Sequence, residues 1–387
     1  MEVHTRMQQR ERIAFIDNLR IVLTILVISN HLIVTYGGAG FWYYVECKAD
    51  TATFILFTIH NAVNQSFFMS FFFVIAGYFT VASYERKGPR LFTKDRLLRL
   101  GIPLLFYDAV INPSIVFILK IKLDDFEGSY LNHLWDYLND GFFIGSGPLW
   151  FVEKLLVFTL CYLLYRLIFK DVTERLSENT PLPSNRITVL FAVVTGALLF
   201  IKRIPLPLLE NVDLAGIDLP FLPPHYTCYF VIGVISYRTK WLERVTKSAA
   251  KCWFKIVAFF MLVYFPLLFI AGGALSGNTS QYFGGVRWQS LAYSIWDQFV
   301  GLGMIIILLQ VFRTRFNSAS GITKSMAKAS YPTYVIHPIV IIWFTLTIRN
   351  IQLHPLAKYM LAAVVSIPLC FTLAHVIRKL PLADRIF

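Results

Sequence analysis

Long apolar segments separated by short polar gaps run along the whole chain. A helix rises about 1.5 Å per residue, so about 20 apolar residues cross a hydrocarbon core of about 30 Å. The pattern predicts an all-α fold, a polytopic membrane helix bundle of about ten transmembrane helices that forms a single integral membrane domain over residues 1–387. The predicted spans are residues 13–36, 64–84, 101–119, 147–165, 187–201, 221–237, 256–273, 290–311, 329–348 and 359–377.

Two segments outside these spans also have a helical pattern. Thr51 to Val63 is apolar, and it either extends the second span or forms a separate helix at the membrane interface. Leu91 to Leu100 alternates apolar and basic residues at helical spacing, which is typical of an amphipathic helix on the cytoplasmic surface. A simple anchor to anionic lipids explains this second pattern equally well.

Composition and charge indicate a membrane protein with two different faces. Hydrophobic residues make up 56% of the chain and charged residues 15%, which excludes a soluble enzyme, a disordered protein and a disulfide-rich secreted module. Most of the 36 Lys and Arg residues lie in alternate gaps and in both tails. The positive-inside rule therefore predicts cytoplasmic termini and a multi-pass protein of the inner or plasma membrane. Because the net charge of +13 reflects this topology, we expect no nucleic-acid partner.

The cysteines and the N-terminal segment do not change this prediction of a membrane helix bundle. The five Cys residues are scattered singly, so we expect neither a disulfide framework nor a metal site. We also expect no cleavable signal peptide, because a polar stretch over residues 1–12 precedes an apolar segment that carries Arg20 and His31.

Ionisable residues inside apolar spans are the best indicators of a site, since each costs roughly 2.5–3.5 kcal/mol on insertion scales. Arg20 and His31 are separated by about three helical turns, or about 16 Å, so they lie on one helix face. This arrangement suits a molecule with its anionic end at Arg20 and its reactive end at His31, whose imidazole is a base near neutral pH. The structural alternative is that Arg20 pairs with Asp17 while His31 bonds a neighbouring helix. The other embedded ionisable residues are Asp108, Glu153, Lys154, Asp297, His337 and His375.

Some of these embedded residues allow more specific expectations. Adjacent residues on a helix point in different directions, so Glu153 and Lys154 are expected to have separate partners. Glu153 would orient His31 or an acceptor hydroxyl, while Lys154 would pair with Asp108 or Asp297 or form a purely structural bridge.

The histidines outside the first span divide into two groups. His337 precedes Pro338, which frees a backbone carbonyl one turn back and helps to shape a cavity, and both a functional and a structural role remain open for it. The other group belongs to the tails, gaps and span edges, where we expect solvated side chains: His4, His60, His133, His225 and His354.

Five motifs follow one another along most of the chain. They are Ile16 to Arg20 with His31 after ten intervening residues, Phe71 to Phe79 (FFFVIAGYF), Arg96 to Leu100 with Pro103, Gly147 to Glu153 (GPLWFVE), and Ser330 to Pro338 (SYPTYVIHP). Together they resemble the motifs of the acyltransferase 3 family. Its members are ten-span membrane acyltransferases of surface carbohydrates. Ala76 departs from the pattern, because the family usually has Ser there.

The resemblance implies a reaction and a set of residues for it. It is strongest to the stand-alone branch that includes periplasmic-glucan succinyltransferases. The donor would be a cytoplasmic acyl-CoA, acetyl-CoA in preference to succinyl-CoA, and the acceptor a hydroxyl of a glycan or glycolipid at the outer face. The implied catalytic residues are His31 as general base and Glu153. The implied donor-binding residues are Arg20, Arg96, Arg99 and Tyr78, and the implied substrate pocket contains Trp150, Tyr334 and His337.

Two other classes of protein remain open from the residues. A transporter or flippase for a glycolipid or small solute would also bury charge in a bundle, but it would have no use for CoA. A membrane receptor or scaffold would tolerate substitution of Arg20 and His31.

Overall fold

The protein is built from helices. The computed structural model describes residues 13–141, 147–169, 175–205, 224–274 and 280–387, and within these ranges it is 82% helical without a strand. The polar stretch of residues 1–12 lies outside them. The helices are α1 (Ala14–Thr35), α2 (Thr51–Arg96), α3 (Ile102–Phe106), α4 (Asn112–Leu123), α5 (Tyr130–Gly141), α6 (Trp150–Ile168), α7 (Asn185–Arg203), α8 (Pro224–Thr239), α9 (Trp241–Arg244), α10 (Lys247–Phe259), α11 (Phe265–Ala271), α12 (Trp288–Arg315), α13 (Gly321–Thr347), α14 (Pro355–Ile377) and α15 (Ala383–Ile386).

Each of the ten predicted spans overlaps one of these helices. Within the described ranges, seven helical stretches are long and apolar enough to cross a membrane. One of the seven, Thr51–Leu123, contains both the second and the third predicted span. The all-α membrane fold is thus confirmed, while the count of ten and the orientation of the termini stay predictions.

Two helices form the interior of the bundle. In the most apolar window of α1, 67% of residues are buried, and in that of α13, 72%. The same measure is 17% for the Lys247–Ala271 stretch, which lies at the periphery. Helix α1 packs against α2 and α13, so its polar residues face other helices instead of lipid. A side chain on α1 is therefore placed where a site can be built.

Helix α2 settles the ambiguity over Thr51 to Val63, which is the first part of this one long helix. The helix bends at Gly88, where φ is 69° and ψ is 174°, values that favour glycine. Pro89 then starts the basic segment, as proline does at the first position of many helices. The amphipathic pattern from Leu91 is thus helical, and it continues through π-helical turns at Leu97–Gly101 and Tyr107–Ile111 into α4.

Helices α2 and α8 approach closely through two glycines. A Cβ on Gly77 would lie 2.2 Å from the carbonyl oxygen of Phe230, and one on Gly233 would lie 2.1 Å from that of Val74. Small residues allow membrane helices to pack backbone against backbone in this way. The glycine of the FFFVIAGYF motif is therefore a packing residue.

Candidate active site

A large cavity opens among α1, α2, α6 and α13. Its volume is about 990 Å³, at the upper end of the range of small-molecule sites. Five of the predicted site residues line it: Arg20, Tyr78, Arg96, Arg99 and Tyr334. Ala76 also lines it, so the family's usual Ser would have placed a hydroxyl on this wall.

The lining is strongly basic at one end. It includes eight Lys and Arg side chains against three acids, Asp17, Asp95 and Glu243. All eight lie on segments that the positive-inside rule assigns to the cytoplasm or beside them, which makes this end suited to a polyanion. The cations are Arg20, Arg86, Lys87, Arg96, Arg99, Lys240, Lys328 and Arg378.

Hydrogen bonds and ion pairs orient several of these side chains. Arg20 Nη1 lies 3.5 Å from Asp17 Oδ1, so the pair expected in the structural alternative is present, although Arg20 also lines the cavity. Arg99 Nε lies 3.1 Å from Asp95 Oδ1. The Tyr78 hydroxyl donates to Glu243 Oε1 at 2.9 Å.

The opposite end of the cavity is uncharged. On each of the four helices, the lining residue furthest from the basic end has no charge: Thr24, Phe72, Phe151 and Tyr334. The rings of Phe151 and Tyr334 meet edge to face with centroids 5.9 Å apart. We call these four residues the inner wall. A polyanion bound at the basic end would therefore direct an uncharged end toward the inner wall.

Two histidines lie just beyond the inner wall. His31 is two helical turns past Thr24, and its ring centroid is 5.2 Å from that of His337, with 21° between the ring planes. His337 in turn lies 5.6 Å from Tyr334. His337 is fully buried, whereas His31 is partly exposed. The structure thus brings His31 of the first predicted span together with His337 and Tyr334 of the ninth.

The motif Ser330 to Pro338 caps backbone carbonyls with side chains one turn apart. The Tyr331 hydroxyl donates to the carbonyl of Arg99 at 2.6 Å, and this carbonyl would bond residue 103 of a regular helix if that residue were not proline. Tyr334 donates to the carbonyl of Pro148. His337 Nδ1 lies 2.6 Å from the carbonyl of Tyr334, which Pro338 leaves without its helical donor.

The loop of residues 36–50 covers His31. Trp42 stacks on the imidazole with ring centroids 3.9 Å apart, a contact that sequence reasoning missed because Trp42 lies outside every predicted span. An ion pair between Glu46 and Lys358, with side chains 9% and 5% exposed, holds the loop against α14. Burial raises the pKa of the Glu46 carboxyl, and the hydrogen bond from Lys358 opposes this rise.

A chain of hydrogen bonds continues from this loop to α5. Tyr43 lies 2.8 Å from the Tyr107 hydroxyl and donates to Asn112 Oδ1 at 2.7 Å. Asn112 Nδ2 then donates to the Tyr137 hydroxyl at 2.7 Å. Burial raises the pKa of Tyr43, so its hydroxyl stays a neutral donor. Apart from the cluster of aromatic residues after the first span, no sequence pattern indicated this chain of hydrogen bonds.

The expectation that Glu153 and Lys154 have separate partners was wrong, because these two side chains pair with each other. Lys154 Nζ donates to Glu153 Oε1 at 2.9 Å, because long side chains on adjacent helical residues can bend toward each other. Asp297 lies 3.7 Å from Arg203 Nη2 instead. The role of Glu153 beside His31 stays a prediction.

Two further expectations have a structural outcome, while the place of Trp150 in the substrate pocket stays a prediction. Trp150 stacks on Tyr226 with ring centroids 5.5 Å apart. His133 and His225 are buried, 3% and 4% exposed, and the expectation that they are solvated was wrong. His133 Nε2 bonds the carbonyl of Pro113, which explains how it is accommodated.

Comparisons with known proteins point to one family. Residues 13–375 match the family described as "Acyltransferase domain". The chain is also similar to "Glucans biosynthesis protein C" of Escherichia coli strain K12 and of Escherichia coli O157:H7, in each case with 23% identity over 342 residues, 86% of this chain and 83% of the relative. The homologous protein of Escherichia coli UTI89 is 23% identical over 343 residues, with the same coverage. No solved structure matches the chain significantly.

Proposed function

Since the chain belongs to the acyltransferase family that matches residues 13–375, we propose that it transfers a short acyl group from acyl-CoA to a hydroxyl of a glycan or glycolipid. The donor is bound from the cytoplasmic side of the inner or plasma membrane, and the acceptor approaches from the other side. A glucan is the first acceptor to test, because the relatives carry that word in their printed name.

One observation carries this proposal: the cavity is basic at one end and uncharged at the end next to His31. The phosphates of CoA require cations, and Arg20, Arg96 and Arg99 supply them with geometry suited to phosphate. Tyr78 adds an aromatic wall between these cations and the inner wall.

His31 acts as the general base in this proposal. As the acceptor oxygen attacks the thioester carbonyl, the new C–O bond forms, the C–S bond breaks, and the imidazole takes the hydroxyl proton. The proton then passes to the departing thiolate, so the products are the ester and CoA thiol. Because Tyr334 already donates to Pro148, its hydroxyl has no second proton for the oxyanion in this conformation.

The uncharged inner wall favours acetyl over succinyl. A succinyl carboxylate would lose its hydration beside Thr24, Phe72 and Phe151 without gaining a cation from the cavity lining there. An acetyl group needs no such partner.

Labelled acetyl-CoA supplied to inside-out vesicles tests the reaction. We expect label on a crude envelope glycan fraction with wild-type protein, its loss with His31→Gln, and a higher KM for acetyl-CoA with Arg20→Gln. Succinyl-CoA should compete weakly. Absence of transfer from any acyl-CoA, together with no CoA binding by the purified protein, would contradict the proposal and favour a transporter or flippase.

A further inference from the structure

His337 uses only one of its two ring nitrogens within the protein. Nδ1 lies 2.6 Å from the carbonyl oxygen of Tyr334, and a carbonyl can only accept, so Nδ1 carries the proton. In a neutral imidazole this fixes Nε2 as an acceptor. Nε2 is buried and has no hydrogen-bond partner within the described part of the chain. Since a buried polar atom without a partner is costly, this nitrogen indicates a ligand contact.

A structural role explains only one of the two ring nitrogens of His337. The structural need at this position is a donor for the carbonyl that Pro338 leaves without one, and Nδ1 supplies it. The carbonyl requires nothing from the ε position. A structural role for His337 therefore predicts that only the δ donor matters.

The neighbouring imidazole has a similar unpartnered atom. His31 Nδ1 is also buried without a partner among the described residues, and the two rings lie 5.2 Å apart in nearly parallel planes. Two nitrogens on adjacent parallel rings suit a ligand that presents two hydroxyls close together. A sugar ring carries neighbouring hydroxyls that can each donate to one of these nitrogens, whereas a simple alcohol has a single hydroxyl.

We infer that His337 binds the acceptor: its Nε2 accepts a hydrogen bond from a hydroxyl next to the one that is acylated. His31 takes the proton of the reacting hydroxyl, and His337 holds the sugar ring so that this hydroxyl faces the thioester. The inference rests on the proposed acyl transfer and narrows its acceptor to one with neighbouring hydroxyls.

Two substitutions separate this role from a structural one. Asn places its amide near the position of Nδ1, so His337→Asn keeps a donor for the Tyr334 carbonyl but has no acceptor at the ε position. Gln reaches the ε position, so His337→Gln keeps an acceptor there. A ligand contact predicts that Gln is the better replacement, and a structural role predicts that Asn is.

The measurement is the KM and kcat of transfer from acetyl-CoA to a linear glucotriose, with thermal unfolding of each variant as the control for folding. For His337→Asn we expect a KM for the acceptor raised roughly tenfold, the contribution of about one hydrogen bond, with the KM for acetyl-CoA unchanged. His337→Gln should lie near wild type. With wild-type protein, the monodeoxy glucotriose that lacks the neighbouring hydroxyl should show a similar rise in KM. This measurement uses no variant, so misfolding of a variant cannot affect it.

Several outcomes would overturn the inference while leaving the proposed function intact. These are wild-type behaviour of His337→Asn, a lower kcat with unchanged KM, or equal KM values for all monodeoxy acceptors. Absence of transfer by the wild-type protein would overturn the proposed function and this inference with it.

Discussion

At the scale of single residues, the candidate site around His31 depends on side chains that lie outside the predicted spans. Trp42 lies on His31, and the loop that carries Trp42 is held by the ion pair between Glu46 and Lys358. Because both charged side chains are almost fully buried, neither can be removed without leaving the other uncompensated. The geometry of His31 thus depends on a contact about fifteen residues further along the chain and on α14.

The ion pair gives a stability prediction. Lys358→Met should lower the free energy of unfolding by about 3 kcal/mol, because it leaves the buried Glu46 carboxyl without its main partner. The double variant Glu46→Gln, Lys358→Met should recover most of the loss. Thermal unfolding in detergent measures both, and equal stability of wild type and Lys358→Met would show that the pair does not hold the loop.

Sequence reasoning reached some of these residues and not others. The carbonyl freed by Pro338 could be predicted, because the missing amide hydrogen is a property of the residue itself. That His337 satisfies this carbonyl, and that Trp42 covers His31, could not be, since both depend on rotamers and on how a loop returns to the bundle. Adjacent Glu153 and Lys154 were misjudged because helical directions describe Cβ atoms better than the ends of long side chains.

At the scale of elements, the basic segment after Gly88 and Pro89 has one side that faces the cavity and one that does not. Arg96 and Arg99 line the cavity, whereas Arg90 on the same segment is exposed and lies outside the lining. The amphipathic pattern predicted the helix, but it could not tell a lipid anchor from a wall of a site. Only the packing of this segment against α6, with the Tyr331 hydroxyl of α13 on the Arg99 carbonyl, makes that distinction.

This difference between the arginines can be measured. Arg96→Gln should raise the KM for acetyl-CoA roughly tenfold by removing a charged contact to phosphate, and the effect should weaken at high salt. The matched control Arg90→Gln removes the same charge from the same helix and should leave the KM near wild type. Equal effects of the two substitutions would indicate a general attraction for anions instead of a site.

The contact between α2 and α8 gives a second prediction at this scale. Gly77→Ala should destabilise the protein by about 1–3 kcal/mol, because the added methyl group would meet the Phe230 carbonyl and push the helices apart. Gly101→Ala is the control, since its Cβ would have no neighbour within 4 Å. Unfolding measurements in detergent compare the two, and a neutral Gly77→Ala would mean that α8 can shift without cost.

At the scale of the whole molecule, the basic end of the cavity and the basic gaps of the chain lie on the same side of the bundle. The basic end of the cavity lies among the segments that the positive-inside rule assigns to the cytoplasm, while Trp42, the Tyr43 chain and α5 lie at the other end. The hydropathy pattern predicted helices α1, α2, α6 and α13 around the cavity, because membrane spans are specified locally by length and composition. The position of the cavity was not predictable, since it arises from residues on helices far apart in sequence.

Labelling of single cysteines tests the orientation. In a variant whose five Cys residues are replaced by Ser, a cysteine at Asp125 should react with a membrane-impermeant maleimide on intact cells. A cysteine at Lys247 should react only after the cells are permeabilised. The reverse pattern would place the basic end of the cavity outside and contradict a cytoplasmic donor.

The inner wall also has a consequence for the membrane that holds the protein. Chemistry that joins a donor on one side to an acceptor on the other requires a passage, and a water-filled passage would conduct protons and discharge the cell. Here the lining of the basic cavity ends at uncharged side chains, where the rings of Phe151 and Tyr334 meet, and a closed, uncharged wall opposes the passage of ions. Under the proposed acyl transfer, the bundle would thus serve both sides of the membrane and still remain an electrical insulator.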